Sequence, residues 1–125
     1  MKRSIAIWAL VFLGAACDSG PSGPGDITGT IQTQGTALGG AVVEIVSSGV
    51  EGFSGAGGTR VFSAIQENPV VHRVIVIGDS GGDLTFNVSV QDLDGRLPRV
   101  SIVSLVDLNN LPIPVTDDYK VRFTH

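Results

Sequence analysis

The chain has one cysteine, one methionine, one tryptophan and one tyrosine in 125 residues. A lone cysteine, Cys17, closes no disulfide within the chain and builds no cysteine-rich zinc site, so any domain here must hold by its apolar core. Histidine is almost as scarce, with His72 in an apolar stretch and His125 at the end. An enzyme needs groups that exchange protons or attack a substrate, and no acid–base pair can be assembled from this inventory. There is no Gly-x-Ser-x-Gly elbow, no His-Glu-x-x-His and no glycine turn opening a helix to cradle phosphate. Gly55 to Gly58 is glycine-rich, but Arg60 to Ile65 behind it reads as a strand and lacks the helix N-terminus that stabilises an anion. No catalytic residue and no cofactor are expected. Basic residues are also few, eight Lys and Arg against twelve Asp and Glu, for a net charge of −4. Such a chain does not neutralise a phosphate backbone, so nucleic acid is not an expected partner. No apolar run reaches the roughly 20 residues of a membrane-spanning helix.

What is present begins at the N-terminus. Lys2 and Arg3 precede an apolar run, Ile5 to Leu13, and then Gly14, Ala15 and Ala16 lead into Cys17. A charged start, a short apolar middle and a small-residue cleavage site are the anatomy of a secretory signal. With the cysteine directly after the small residues, the stretch resembles a bacterial lipoprotein signal. Ala15, Ala16 and Cys17 match that family's pattern; its leucine position holds Gly14, which leaves ordinary cleavage after Ala16 open. The resemblance implies removal of residues 1–16 and lipidation of Cys17 through a thioether to diacylglycerol. The implied address is the bacterial cell envelope, on a membrane surface, inner or outer. Two acyl chains suffice for stable anchoring, at about 0.8 kcal/mol per buried methylene. The remaining 109 residues carry a net charge of −6, because Lys2 and Arg3 leave with the signal. That length suits one ordinary domain. Asp18 to Asp26 (DSGPSGPGD) cannot bury a face; with Cys17 it is read as a tether, residues 17–26, whose nine residues after the cysteine span at most about 30 Å.

From Ile27 the pattern is β. Ile27, Gly29, Ile31 and Thr33 share one face of a first strand, and Ala41 to Val46 form a second with Glu44 outward. Ser47 to Gly58 reads as a long Gly/Ser loop, and Arg60 to Ile65 as a third strand. Val70 to Ile77 (VVHRVIVI) is apolar on both faces apart from His72 and Arg73, which predicts a central, covered strand. Asp79 to Asp83 suggests a hairpin-type turn. Leu84, Phe86, Val88 and Val90 alternate with Thr85, Asn87, Ser89 and Gln91, the clearest period-two pattern in the chain. Val100 to Val106 follows, is broken by Asn109, Asn110, Pro112 and Pro114, and Tyr119, Val121 and Phe123 mark a closing strand. Seven short strands over residues 27–125, with no helical period after residue 17, predict an all-β fold, an antiparallel β-sandwich.

Two family resemblances attach to these strands. GGDLTFNVSVQDLDGRLPRVSIVSLVDLNNLPIPV, near residues 81–115, is similar to the later strands of cohesin-like domains, which are bacterial sandwiches. ITGTIQTQGTALGGAVVEIV is similar to the opening strands of carboxypeptidase-regulatory-like sandwiches, with the match ending near Ser47. Both imply a non-catalytic sandwich and neither names a ligand.

Asp92 and Asp94 beside Gly95 resemble the start of a calcium loop, but Pro98 to Val100 stand where further oxygen ligands belong. Asp107 with Asn109 and Asn110, and Asp117 with Asp118, are further oxygen clusters; the same residues also suit β-turns. Glycan binding on a sandwich needs exposed rings, and after the signal only Phe53, Phe62, Phe86, Tyr119 and Phe123 remain. Phe53, in the expected loop, is the candidate partner contact, and His72 is expected to sit on a sandwich face with a satisfied ring. The reading is a non-catalytic structural or protein-interaction module, held to a membrane by its lipid and facing a protein partner. The alternative is a glycan- or small-ligand-binding module, recognisable by Phe53, Tyr119 or His72 exposed in a concave face.

Overall fold

A computed structural model describes residues 23–64, 68 and 70–124. Among them there is no helix, and nine strands form two antiparallel sheets packed face to face. The strands are β1 (Gly25–Ile31), β2 (Leu38–Val46), β3 (Val50–Ala56), β4 (Arg60–Ala64), β5 (Val71–Gly81), β6 (Leu84–Val90), β7 (Arg99–Val106), β8 (Pro112–Ile113) and β9 (Val121–Thr124). One sheet has the order β3-β6-β1-β9 and the other β4-β5-β2-β7-β8. The all-β sandwich expected from the pattern is the fold observed.

Alternation decides what lies between the sheets. Leu84, Phe86, Val88 and Val90 of β6 face inward, as their period demands, beside Ile27 and Ile31 of β1. Across from them sit Ala41, Val43 and Ile45 of β2 and Val74 and Val76 of β5. Leu38, Leu105 and Tyr119 complete the core. Among the described residues every fully buried side chain is apolar, and burial of this kind contributes about 25 cal/mol per Å². Without a disulfide, that burial has to carry the fold.

Four expectations are corrected. Ser47 to Gly58 is not a loop: β3 occupies its middle and pairs with β6 from Val50↔Val90 to Ala56↔Thr85, with a bulge between Val50 and Gly52. Backbone pairing needs no side-chain period, so this Gly/Ser-rich strand has little signature. Gly57 and Gly58 both have positive φ, as a two-residue type I′ turn requires, and Thr59 Oγ1 donates to the Ala56 carbonyl at 2.7 Å. That turn carries the chain from one sheet to the other. Second, Asp79 to Asp83 is not a hairpin, because β5 runs on to Gly81 and β6 belongs to the opposite sheet. Third, the break after β7 contains the short β8, paired Leu105↔Ile113 and Val106↔Pro112. Fourth, β5 lies between β4 and β2 but only one of its faces is covered; Ile75 and Ile77 are each 43% exposed.

At the N-terminal end, β1 starts at Gly25, so the last two residues of the expected tether belong to the sheet, and the Leu93 amide donates to the Gly23 carbonyl at 2.8 Å. The signal, Cys17, the rest of the tether up to residue 22 and His125 lie outside the described residues.

Candidate functional site

The two outer faces of the sandwich differ in chemistry. On the four-stranded sheet the outward residues pair as Asp26–Ser89, Thr28–Asn87 and Thr30–Thr85. Ser89 Oγ donates to Asp26 Oδ1 at 2.8 Å and Thr28 Oγ1 to Asn87 Oδ1 at 3.0 Å. This face is a hydroxyl and amide surface suited to water.

The outward face of the five-stranded sheet is apolar at its centre. Phe62 on β4 stands opposite Ile75 on β5, which stands opposite Val42 on β2. One step along, Arg60, Ile77, Gly40 and Val106 align across β4, β5, β2 and β7. Phe62 is 54% exposed and Leu108, in the turn after β7, 48%. A bulge in the β2–β7 pairing between Val42 and Val43 leaves Val103 and Ser104 both outside. Gly40 has no side chain to fill its place in the row, and a groove of about 380 Å³ runs there, with Ile75 and Ile77 on one wall and Val106 and Leu108 on the other. A smaller depression of about 290 Å³ adjoins it between Arg60, Phe62, Ile77 and Asp79. At the other end of the face, Arg73 Nη2 meets Glu44 Oε2 at 3.0 Å in a partly exposed ion pair, an interaction contributing about 0–1 kcal/mol.

The residues singled out from sequence lie elsewhere. Phe53 is half-buried on β3 and packs against the core, its ring edge-on to His72 at 5.5 Å between centroids. It bridges the sheets and is not an exposed contact; the burial of β3 against β6 turns it inward. His72 shares the inward face of β5 with Val74 and Val76, and its buried Nε2 has no hydrogen-bond partner among the described residues, contrary to the satisfied ring expected. Tyr119 borders a shallow depression beside Val100 and Val121 but is only 9% exposed.

The acidic turns use their own carboxylates. Asp92 Oδ1 accepts from the Gly23 amide at 3.2 Å and the Asp94 amide at 3.0 Å. Asp107 Oδ1 accepts from the Asn109 amide at 2.8 Å and the Leu111 amide at 2.9 Å, and Asn110 takes a positive φ of 63°. The bonds from Asp94, Asn109 and Leu111 are turn-closing bonds of the kind Asp supplies to its own backbone, and the bond from Gly23 ties the Asp92 turn to the residues before β1. Among the described residues no three His, Cys, Asp or Glu side chains are grouped to hold a metal ion.

Sequence reasoning missed the outward apolar face. One signal was available: Ile75 and Ile77 alternate with Val74 and Val76, and a strand apolar on both sides has either a second covering layer or an exposed one. No protein-family model matches the chain, and no similar protein or solved structure was found among the known proteins it was compared with.

Proposed function

We propose that the chain is a bacterial envelope lipoprotein whose mature part is a non-catalytic structural or protein-interaction module. Cys17 carries the lipid, the Gly/Pro/Ser stretch after it lifts the domain from the bilayer, and the sandwich presents the outward face of its five-stranded sheet to a protein. The anchor rests on the Met1 to Cys17 pattern. Both family resemblances are to non-catalytic sandwiches, in agreement with this reading.

The observation that carries the interaction reading is the inequality of the two outer faces. A sheet face that only meets water has no use for Phe62, Ile75 and Ile77, whereas the Thr, Ser and Asn rows of the opposite face are what solvation alone favours. An apolar patch of a few hundred Å², the largest on a typical folded domain, is often a functional one. The 380 Å³ groove also favours a second reading, a small apolar ligand; its lining holds no aromatic ring on which a sugar could stack.

Cross-linking in intact cells tests the proposal. A photoreactive residue at position 75 is expected to capture a protein, and one at position 85, on the hydroxyl face, is expected to capture none. Equal yields at both positions, or none at 75, would remove the support for a binding face.

A further inference from the structure

The face can be read more closely for its partner, and the inference rests on its being an interaction surface. We propose that the outward face of the five-stranded sheet binds a second copy of this chain, with each Phe62 seated in the other copy's Gly40 groove.

The face is self-complementary in shape. The face carries both a projection and a recess. Phe62 is its most exposed large side chain, and Gly40 opens its groove two strands away. Two strand spacings and two residues along the chain place them about 12 Å apart. A two-fold axis lying between two such faces, midway between projection and recess and perpendicular to the line joining them, brings each Phe62 over the other copy's groove. One surface then complements itself, as an isologous dimer requires. A closed cavity of about 150 Å³ accepts a benzene ring, so a groove of about 380 Å³ has room for a phenyl side chain.

Phe62, Ile75, Ile77, Val103 and Leu108 are each about half exposed, and side chains of this size leave on the order of 400 Å² of apolar surface between them. That is about half of the roughly 800 Å² per partner in a standard interface, and homodimer interfaces are about 65% apolar. The polar rim supplies the remainder.

The chain is acidic, so two copies repel over most of their surfaces. On this face Arg60, Arg73 and Arg99 are balanced by Glu44, Asp79 and Asp107, so the two copies can approach here without net repulsion. A strongly charged partner finds nothing here to match it.

The test is sedimentation velocity of the full-chain product, purified from its host in mild detergent, with Phe62→Glu and Leu108→Lys beside it. Both side chains are about half exposed, so neither change opens the core, and circular dichroism checks that each variant keeps its strands. The unaltered protein is expected as a dimer. Each variant alone is expected to weaken the dimer about 30-fold or more, as loss of a central anchor does. An equimolar mixture of the two is expected to restore it. The introduced carboxylate of one copy then faces the introduced ammonium of the other, while the remaining Phe62 still enters an unaltered groove. A monomeric unaltered protein, a dimer that persists in both variants, or a mixture that stays monomeric would each overturn the proposal. So would a monomer that uses Phe62 to bind vesicles or a different protein, although that outcome would leave the interaction reading itself standing. Absence of any Phe62-dependent association would remove both.

Discussion

Gly29→Ala should overpack the core where β1 crosses the Phe86 ring. Gly29 faces inward in the middle of β1, opposite Phe86 on β6, and the Phe86 ring lies across it. A Cβ at position 29 would stand 2.7 Å from Phe86 Cζ, 3.0 Å from Phe86 Cε1 and 3.1 Å from Phe123 Cε1. Ordinary contact begins near 3.4 Å, so the Phe86 ring must withdraw by about 0.7 Å. It has nowhere to go: Phe86 is fully buried and stands edge-on to Phe123, 6.5 Å between centroids. Overpacking of this kind costs about 1–3 kcal/mol. Removing a strand glycine returns about 0.5–1 kcal/mol of backbone entropy. The expected net loss is therefore centred near about 1 kcal/mol, within a range of about 0–2.5 kcal/mol, and 1 kcal/mol is a fall of roughly 4–8 °C in Tm for a domain of this length. Urea titration of the purified protein measures it, with the slope unchanged because the surface exposed on unfolding is the same. Phe86→Leu removes the clashing ring edge, so the double variant should cost about 1 kcal/mol less than the two single changes added together. A Gly29→Ala protein more stable than the original, or strict additivity in the cycle, would refute the packing described between β1 and β6.

Three further outcomes follow from the same geometry. His72→Phe should hold or raise stability, by up to about 1 kcal/mol, because it replaces a buried nitrogen without a described partner by an apolar ring beside Phe53; a urea midpoint lowered by more than that amount would mean the ring is hydrogen-bonded in solution. Asp107→Ala should cost about 0.5–2 kcal/mol through the two exposed amides its carboxylate receives, while Asp107→Asn, which keeps an acceptor, should lie near the original in the same titration. Millimolar calcium should leave the thermal midpoint in place, since the Asp92 carboxylate is engaged by the Gly23 and Asp94 amides. A site with the millimolar affinity of extracellular modules, at a tenfold excess of ion, would instead add about 1.4 kcal/mol.

What could be read from the chain and what could not divide along a physical line. The strand from Leu84 was legible because one of its faces is buried and the other wet, and a period of two is the direct image of that asymmetry. The inward sets of β1 and β2 were legible for the same reason. β3 was not, since its Gly and Ser residues are held by backbone bonds to β6, which leave no mark on side-chain choice. The outer face of β5 was misread because an apolar run reads the same whether its second face is covered or left open, and Ile75 and Ile77 are each 43% exposed. Phe53 was misplaced as a consequence of missing β3: once that segment is a strand, the alternation turns the ring toward the core. The carboxylates of Asp92 and Asp107 show a third limit, since the oxygen that could ligate an ion is the same oxygen that closes a turn, and only geometry distinguishes the two uses.

The reading of this domain as an envelope module turns on residue 17. Intact-mass spectrometry of the protein extracted from its host's membranes measures the amino terminus directly. A chain beginning at Cys17 and heavier by a diacylglyceryl group, with or without a third acyl chain, is expected. A soluble product with a free Cys17 thiol, or a chain that still begins at Met1, would contradict it.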